Sequence, residues 1–454
     1  MDKKVSQLIE SYREELTGML KKWVRVPSVK SEGADGAPFG KEIRRMLDMA
    51  MVDAETMGFM TEAYDGYACD ILLGNTQEQI AVLGHLDVVP AGEGWNYPPF
   101  GAEQVGNRIY GRGTGDDKGP VLAALFAMRA IRDAGVPMKK GIRMVLGCDE
   151  ESGWEDMEHY CEVTDMPEIG FSPDASFPVI NTEKAIVQMI LHGKHTEGGP
   201  KILKLQTGER FNVIPGVCKA LLDGDEAFAE TVRTAAERIG GDFDVRTAQE
   251  GVWVTATGIP GHSAYPEGCR NAIGMMLRLL CELGVTGGLA ELGNKVGTEY
   301  DGASLGCKAG DSVSGSLTCN MGILRLEDNN ITATLDFRCP LCVDPDELIR
   351  KVGEALPGFT TEITEKKEIH YVPEDSELVS SLLDAYREET GREVSGMYTG
   401  GGTYAKIMKQ GVAFGAGFPE DEDLAHQANE YIDIDKLILT AKIYANALIR
   451  LTAE

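Results

Sequence analysis

The chain has 454 residues, more than one hydrophobic core usually organises, so we expect two domains. Hydrophobic residues make up 43% and charged residues 26%, which is typical of a globular protein and too apolar for a disordered one. The chain carries 44 basic and 72 acidic residues, and a net charge of −28 repels nucleic-acid phosphates and anionic membrane surfaces. We therefore expect neither nucleic acid nor a membrane as a partner.

The N-terminal stretch MDKKVSQLIE lacks the apolar segment of a signal peptide. No apolar run reaches the roughly 18 residues that a membrane span needs. Ten cysteines are scattered along the chain, a distribution that favours reduced thiols over a disulfide framework. These features predict a cytoplasmic location.

The first third of the chain alternates helices with short apolar strands. Helical spacing of apolar residues predicts helices over 5–24 and 40–57, and an Ala-rich segment predicts a third over 120–134 that ends at Gly135. Apolar strands are predicted at 70–73, 79–84 and 142–147. This alternation indicates an α/β domain.

Beyond about residue 184 the predicted strands become longer, and two of them form a hairpin around 328–330. Helices are predicted there near 225–239, 271–283 and 345–355. From about residue 376 the helix-strand pattern resumes, up to a final helix near 434–451. We therefore predict a split α/β domain of residues 1–184 and 375–454, with a mixed central sheet flanked by helices, and an inserted α+β domain of residues 185–374.

The strand in AVLGHLDVVP, residues 81–90, delivers His85 and, two residues later, Asp87. A histidine that binds metal through one ring nitrogen usually donates its other N–H to a carboxylate or a carbonyl, which fixes the tautomer. As an isolated pattern, the pair is more typical of a hydrogen-bonded histidine at a strand end. Its significance depends on what other segments contribute.

The glycine-rich segment GRGTGDDKGP, residues 111–120, places Asp116 and Asp117 before the Ala-rich helix. Its glycine spacing fits neither a dinucleotide fingerprint nor a P-loop. Two acids at a helix N-terminus could also simply complement the helix dipole.

Three further segments place acids or a histidine at strand ends or in loops. Glu150 and Glu151 follow the apolar strand MVLGC, and Asp174 lies in GFSPDASFPV. His426 precedes the last predicted helix. Open α/β sheets bind ligands at the carboxyl ends of their strands, and imidazole with carboxylate is the ligand set of zinc and related ions. Together the segments indicate a metal site.

In this order, the five segments resemble the di-zinc exopeptidase family that includes glutamate carboxypeptidase, aminoacylase, succinyl-diaminopimelate desuccinylase and the PepV-type dipeptidases. The resemblance spans nearly the whole chain. It implies two divalent ions as cofactors, zinc first, with manganese and cobalt as alternatives. It also implies five ligands: His85 and Asp174 on one ion, Glu151 and His426 on the other, and Asp116 bridging both.

By the same resemblance, Asp87 orients His85, and Glu150 is the general base for attack by a metal-bound hydroxide. The implied function is a metal-dependent dipeptidase acting on short peptides with free termini. A deacylase or desuccinylase of N-acyl amino acids would share this metal centre and is the alternative. A non-catalytic metal- or peptide-binding protein would not need the base Glu150.

In the inserted domain, His262 lies in a glycine-flanked turn, and Asn212 and Arg338 lie in RFNVIPG and LDFRCP. Without the resemblance, all three are ordinary polar residues that support loops. The resemblance implies that His262 stabilises the developing oxyanion and that Asn212 and Arg338 bind the substrate. Gly401 and Gly402, in YTGGGTYAK ahead of a predicted helix, offer backbone N–H groups for a substrate carboxylate, although a plain flexible loop is an alternative.

PepV-type members carry an enlarged lid over their own active site, and the span 310–322 resembles that enlargement. The resemblance therefore implies that the inserted domain is a lid, that the protein is a monomer, and that small dipeptides fit while long peptides do not.

Overall fold

The computed structural model describes residues 2–74, 76–196, 198–422 and 424–453. Within these ranges the α-helices, in chain order, are α1 Lys3–Ser11, α2 Arg13–Val24, α3 Lys41–Thr56, α4 Lys118–Ala134, α5 Glu155–Val163, α6 Glu226–Ile239, α7 Ala272–Glu282, α8 Gly288–Lys295, α9 Pro345–Ala355, α10 Glu377–Thr390 and α11 Ile434–Ala453. Short 3₁₀ turns cover Ala303–Leu305 and Tyr404–Ile407.

The strands, again in chain order, are β1 Met60–Tyr64, β2 Ala68–Leu73, β3 Gln79–His85, β4 Glu103–Val105, β5 Arg108–Tyr110, β6 Gly141–Gly147, β7 Ile169–Ser172, β8 Ala175–Ser176, β9 Ile180–Glu183, β10 Ala185–Lys194, β11 Ile202–Thr207, β12 Val213–Ile214, β13 Val217–Leu222, β14 Asp242–Ala248, β15 Gly251–Thr257, β16 Gly261–His262, β17 Gly310–Asp311, β18 Gly315–Ser316, β19 Thr318–Glu327, β20 Asn330–Cys339, β21 Phe359–Lys367, β22 His370–Tyr371, β23 Met397–Thr399, β24 Gln410–Ala413, β25 Ala416–Gly417 and β26 Tyr431–Asp433.

The chain divides into two compact units. Unit 1 comprises Met1–Asn181, Val372–Met397 and Gly402–Glu454, and unit 2 comprises Thr182–Tyr371 and Tyr398–Gly401. The sequence predicts the two domain boundaries at 184/185 and 374/375, each within three residues of the boundaries between the units. It does not separate the short segment Tyr398–Gly401 from the C-terminal part of the α/β domain, whereas in the structure this segment groups with unit 2.

Unit 1 is built on a mixed sheet whose strands run in the order β1-β2-β6-β3-β7-β24. The strands β6, β3, β7 and β24 are parallel to one another, whereas β2 pairs antiparallel with both β6 and β1. The carboxyl ends of parallel strands meet at one edge, and His85 at the end of β3 pairs in register with Gly147 at the end of β6. The sheet therefore brings the segments that follow β3, β6 and β7 together.

Helices cover both faces of this sheet. The largest apolar cluster joins residues of α1–α4, α10 and α11 to one face. A smaller cluster on the other face includes Met157 and Tyr160 of α5 together with Tyr404 and Met408. This layered arrangement confirms the predicted α/β class.

The predicted N-terminal helix over 5–24 is wrong in one detail, since it divides at Tyr12 into α1 and α2. The Tyr12 N–H is shared between the carbonyls of Leu8 and Ile9, which locally tightens the turn. The apolar stripe continues across the division, and Ile9 and Leu16 are both buried.

Unit 2 contains an eight-stranded sheet of order β14-β15-β13-β11-β19-β20-β10-β21, antiparallel throughout. Residues of α6, α7, α8 and α9 share one apolar cluster with one face of the sheet. The predicted hairpin is confirmed between β19 and β20, where Asp328 and Asn329 have φ of 48° and 62°. The α+β prediction for the inserted domain is therefore confirmed.

No helix in the described part of the chain combines the length and the apolarity that crossing a bilayer requires.

Candidate metal centre

His85 ends β3 with its side chain fully buried. Its backbone N–H donates to Asp117 Oδ2 at 3.3 Å, and its ring Nδ1 lies 3.0 Å from the carbonyl oxygen of Asp87. The carbonyl can only accept, so Nδ1 carries the ring proton of a neutral His85. The Nε2 lone pair is thereby directed toward the acids at the sheet edge.

Asp116 lies between two histidines. Its Oδ1 is 3.0 Å from His85 Nε2, and its Oδ2 is 3.1 Å from His426 Nε2. Asp174 Oδ2 lies 3.6 Å from His85 Nε2, and Glu151 Oε2 lies 2.9 Å from His426 Nε2. Two groups of three residues therefore share Asp116, and in each group one donor atom per residue lies within 4.8 Å of the others. The structure brings all five residues predicted as ligands together.

The carboxylates of this cluster are buried and lie close to one another, and both conditions disfavour their charged forms. Burial, and then the charge of Asp116, raise the pKa of Asp174 to about 7. Burial, and then the charge of Asp174, hold the pKa of Glu150 well above its usual value. Hydrogen bonds to Asp116 and Glu151 raise the pKa of His426 to about 10. Each group therefore shifts toward holding a proton, which is the response of an anionic site that favours positive charge.

Asp87 contacts both the ring of His85 and the acidic turn that follows β6. Its carboxylate lies 3.4 Å from His85 Nδ1, but its Oδ1 accepts from the Glu150 N–H at 3.2 Å and its Oδ2 from the Glu151 N–H at 3.1 Å. Asp87 thus holds the backbone of the acidic turn, while its carbonyl contacts the histidine ring.

In unit 2, His262 in β16 pairs in register with Val213 in β12. The Ala264 N–H donates to His262 Nδ1 at 3.2 Å, which leaves the proton of a neutral ring on Nε2. Asn212 Nδ2 lies 3.4 Å from that Nε2, but both groups are donors in this tautomer and do not hydrogen-bond to each other. Burial, and then the charge of Arg338, lower the pKa of His262, which favours the neutral ring.

Arg338 is 4% exposed, and its guanidinium donates to both carboxylate oxygens of Asp336 and to the carbonyl of Gly400. In the glycine segment, the Gly401 N–H donates to Thr399 Oγ1 at 3.1 Å, so it already has an acceptor. The helix predicted after this segment is wrong, because the residues form the 3₁₀ turn Tyr404–Ile407, in which the Ala405 N–H donates to Thr403 Oγ1 at 3.2 Å. Gly402 belongs to unit 1.

A family model described as peptidase family M20/M25/M40 matches residues 81–450. The putative dipeptidase YtjP of Bacillus subtilis is 34% identical over 460 residues, which are 97% of this chain and 97% of the relative. The chain belongs to this peptidase family. The Beta-Ala-Xaa dipeptidase of Lactobacillus delbrueckii subsp. lactis is 32% identical over 477 residues, which are 100% of this chain and 99% of that protein.

Among solved structures, human carnosine dipeptidase 1 matches with a TM-score of 0.60 and 16% identity, over 99% of this chain and 98% of that chain. At this identity the likeness shows the fold alone, and it agrees with the predicted pairing of an α/β domain with an inserted α+β domain.

Membership of the peptidase family implies divalent metal ions, and the donor chemistry fits them. Imidazole nitrogen and carboxylate oxygen are the donors of zinc and related ions, and here they share Asp116 in two groups. Positive charge would also offset the repulsion among Asp116, Asp174 and Glu151.

The sequence analysis of this peptidase missed Glu430. Its carboxylate is 2% exposed, and it accepts from the N–H groups of Gly115 at 2.9 Å and Asp116 at 3.4 Å and from Arg112 Nη1 at 2.7 Å. Glu430 therefore fixes the loop that carries Asp116. Its position four residues after His426 was the one available signal.

Asp156 and Asp149, also without a predicted role, support the acidic turn. Asp156 Oδ2 accepts from the N–H groups of Cys148 and Asp149 and from the hydroxyl of Tyr404. Asp149 Oδ1 pairs with Lys30 Nζ at 2.6 Å. These contacts hold the backbone that presents Glu150 and Glu151.

Proposed function

We propose that the protein is a metal-dependent dipeptidase that hydrolyses short peptides with free termini. The observation that carries the proposal is the position of Asp116, whose two carboxylate oxygens face two histidines. Each of these histidines also lies beside a second carboxylate. The family membership and the dipeptidase relatives support the same activity.

We infer that two divalent ions bind, one on His85 and Asp174, one on Glu151 and His426, with Asp116 shared by both. Zinc suits this donor set first, and manganese or cobalt are the alternatives. Bound divalent ions would polarise the scissile carbonyl and lower the pKa of the attacking water.

Glu150 is proposed as the general base. Its backbone N–H is held by Asp87, and its carbonyl accepts from Trp154 Nε1 at 2.9 Å, so the residue is fixed on both sides. The Glu150 carboxylate takes a proton from the attacking water and returns it to the leaving amine. Asp87 contributes by fixing the turn and the ring of His85.

His262 is proposed to stabilise the oxyanion. A neutral ring with its proton on Nε2 is a hydrogen-bond donor, and the neighbouring Asn212 Nδ2 cannot accept this proton because it is a donor itself. Arg338 and Asn212, with Gly401 and Gly402, are proposed to bind the substrate. Arg338 retains N–H groups beyond those that Asp336 and Gly400 use, and these suit a peptide carboxylate.

A panel of substrates tests the proposal. Initial rates of the zinc-loaded protein are compared on Ala-Leu, β-Ala-His, N-acetyl amino acids and N-succinyl amino acids. We expect the dipeptides to be hydrolysed faster. Faster hydrolysis of the acylated amino acids would replace the dipeptidase with the deacylase alternative, and turnover of none of them would leave a binding protein.

The size limit follows from the inserted domain acting as a lid, which we propose on the resemblance to PepV-type members. Rates should fall steeply from dipeptides to tetrapeptides of the same residues. The monomeric state and the cytoplasmic location stay predictions, and sedimentation of the purified protein tests the first.

A further inference from the structure

Asp336, in β20 of unit 2, is fully buried and is not among the predicted site residues. Strand alternation puts Thr334, Asp336 and Arg338 on one face of the sheet, while Leu335 and Phe337 join the apolar cluster on the other. A buried carboxylate is stable only when its oxygens are well paired, so its partners show what it does.

One set of partners lies on the Arg338 side. Asp336 Oδ2 accepts from Arg338 Nε at 3.0 Å, and Oδ1 accepts from Nη2 at 3.2 Å. This two-point pairing fixes the plane of the guanidinium. Gln188, directly opposite in register on β10, donates from Nε2 to Oδ1 at 2.9 Å and holds the carboxylate itself.

The second partner lies on the His262 side. The hydroxyl of Ser263 donates to Asp336 Oδ2, and the Ser263 N–H donates to the carbonyl of Asn212 at 2.9 Å. Ser263 is 1% exposed and directly follows His262 in the chain. Asp336 therefore holds the turn that carries the imidazole as well as the guanidinium.

We propose that Asp336 is a positioning residue that sets Arg338 and the His262 turn at a fixed separation. The inference rests on the proposed function, which gives Arg338 the substrate carboxylate and His262 the oxyanion. One buried anion then fixes the position of the Arg338 guanidinium relative to the turn that carries His262.

A double-mutant cycle tests whether Asp336 acts through Arg338. Asp336→Asn keeps the size of the side chain and removes its charge, and we expect KM for a dipeptide to rise at least tenfold. In an Arg338→Ala background the same change should alter KM by less than twofold, because no guanidinium is left to position. If the increases in KM caused by the two single substitutions multiply in the double variant, the two residues act independently and the proposal is overturned.

Ser263→Ala tests the contact between Asp336 and the His262 turn separately. It also provides a test if the Asp336→Asn variant does not fold. It should lower kcat about tenfold while KM stays within twofold of wild type, because the imidazole turn is released and the guanidinium is not. An unchanged kcat would contradict the proposal that Asp336 positions the His262 turn. Thr334→Val is the matched control on the same face, because its hydroxyl oxygen accepts from the Ile323 N–H instead, and it should retain wild-type kcat and KM.

Crystal structures of wild type and Asp336→Asn give a readout that needs no activity. Inactivity of the zinc-loaded wild type on dipeptides would overturn the proposed function alone. The positioning role is decided by whether the Arg338 guanidinium and the His262 ring move by more than about 0.5 Å, the tolerance of a productive site. Unmoved groups in the variant overturn it.

Discussion

The two units assemble charged side chains by different means. In unit 1, His85 ends one strand and Glu151 and Asp174 follow two others, and they meet because these parallel strands end at one edge. In unit 2, Asp336 and Arg338 come from a single antiparallel strand and meet because alternate residues share a face. Strand ends can gather groups from distant parts of a sequence, whereas one strand face offers a row with fixed spacing.

The two assemblies also differ in charge balance. Asp336 has the guanidinium of Arg338 as its partner within unit 2. In unit 1 the carboxylates outnumber the histidines, and burial, followed by the charge of Asp116, raises the pKa of Asp174 to about 7. Unit 1 should therefore depend on added cations and unit 2 should not.

Metal removal is the strongest way to test this contrast. Dialysis against a strong chelator should abolish peptide hydrolysis, and zinc, manganese or cobalt should restore it. The metal should also raise the free energy of unfolding, by about 2.7 kcal/mol for each site at a concentration one hundred times its Kd. Elemental analysis, rates and thermal unfolding are measured on the same samples, with dialysis against buffer alone as the control. Full activity in a metal-free sample would refute the dependence.

Glu150→Gln should lower kcat by about 10² to 10⁴, the usual contribution of a general base, and leave the metal content unchanged. The exposed Glu158 of α5 gives a matched control, and Glu158→Gln should behave as wild type. Loss of metal together with activity would reassign Glu150 to metal binding, and a fully active variant would exclude the role of base.

His262→Ala tests unit 2 and should lower kcat by about 10² to 10³, the usual effect of removing an oxyanion donor. The metal content should not change, whereas a substitution among the metal ligands of unit 1 should lower it. His192→Ala is the control, because His192 pairs with Glu362 on the protein surface. A kcat/KM within a factor of three of wild type would mean that His262 is not the donor.

Glu430→Gln should have the smallest effect. It weakens the contacts that hold the Asp116 loop, so metal affinity should fall by about 10- to 100-fold, while kcat at saturating metal stays near wild type. Competition with a chelating dye measures the affinity. Glu420→Gln is the control, since Glu420 is exposed and pairs with Arg392. Unchanged affinity would make Glu430 a purely structural residue.

The sequence indicates candidate residues whose chemistry is local. His85, Asp116 and Glu151 stand in short segments with recognisable strand, glycine and acid patterns, and the α/β alternation predicts that these segments meet, while their roles as ligands come from the family resemblance. The helix and strand predictions succeed for the same reason, since apolar periodicity is a local property.

The supporting residues escape prediction because their partners are distant in sequence. Glu430 contacts a loop more than three hundred residues earlier, and Asp156 accepts backbone N–H groups that no residue type reveals. Asp336 in LDFRCP has the spacing of an ordinary strand residue, and only the fold shows what surrounds it. The prediction after the glycine segment failed although its pattern is local. The pattern suited a helix, whereas the structure has the 3₁₀ turn Tyr404–Ile407.

The grouping of Tyr398–Gly401 with unit 2 limits how far the inserted domain can be treated as a module. Thr399 accepts from the Lys184 N–H at 3.0 Å, and the Gly400 carbonyl accepts from Arg338 at 2.7 Å. An excised fragment of residues 182–371 would lose both acceptors. Exchanging this domain between relatives to alter their specificity therefore requires transplanting the tetrapeptide as well, although Val372–Met397 separates it from the rest of unit 2.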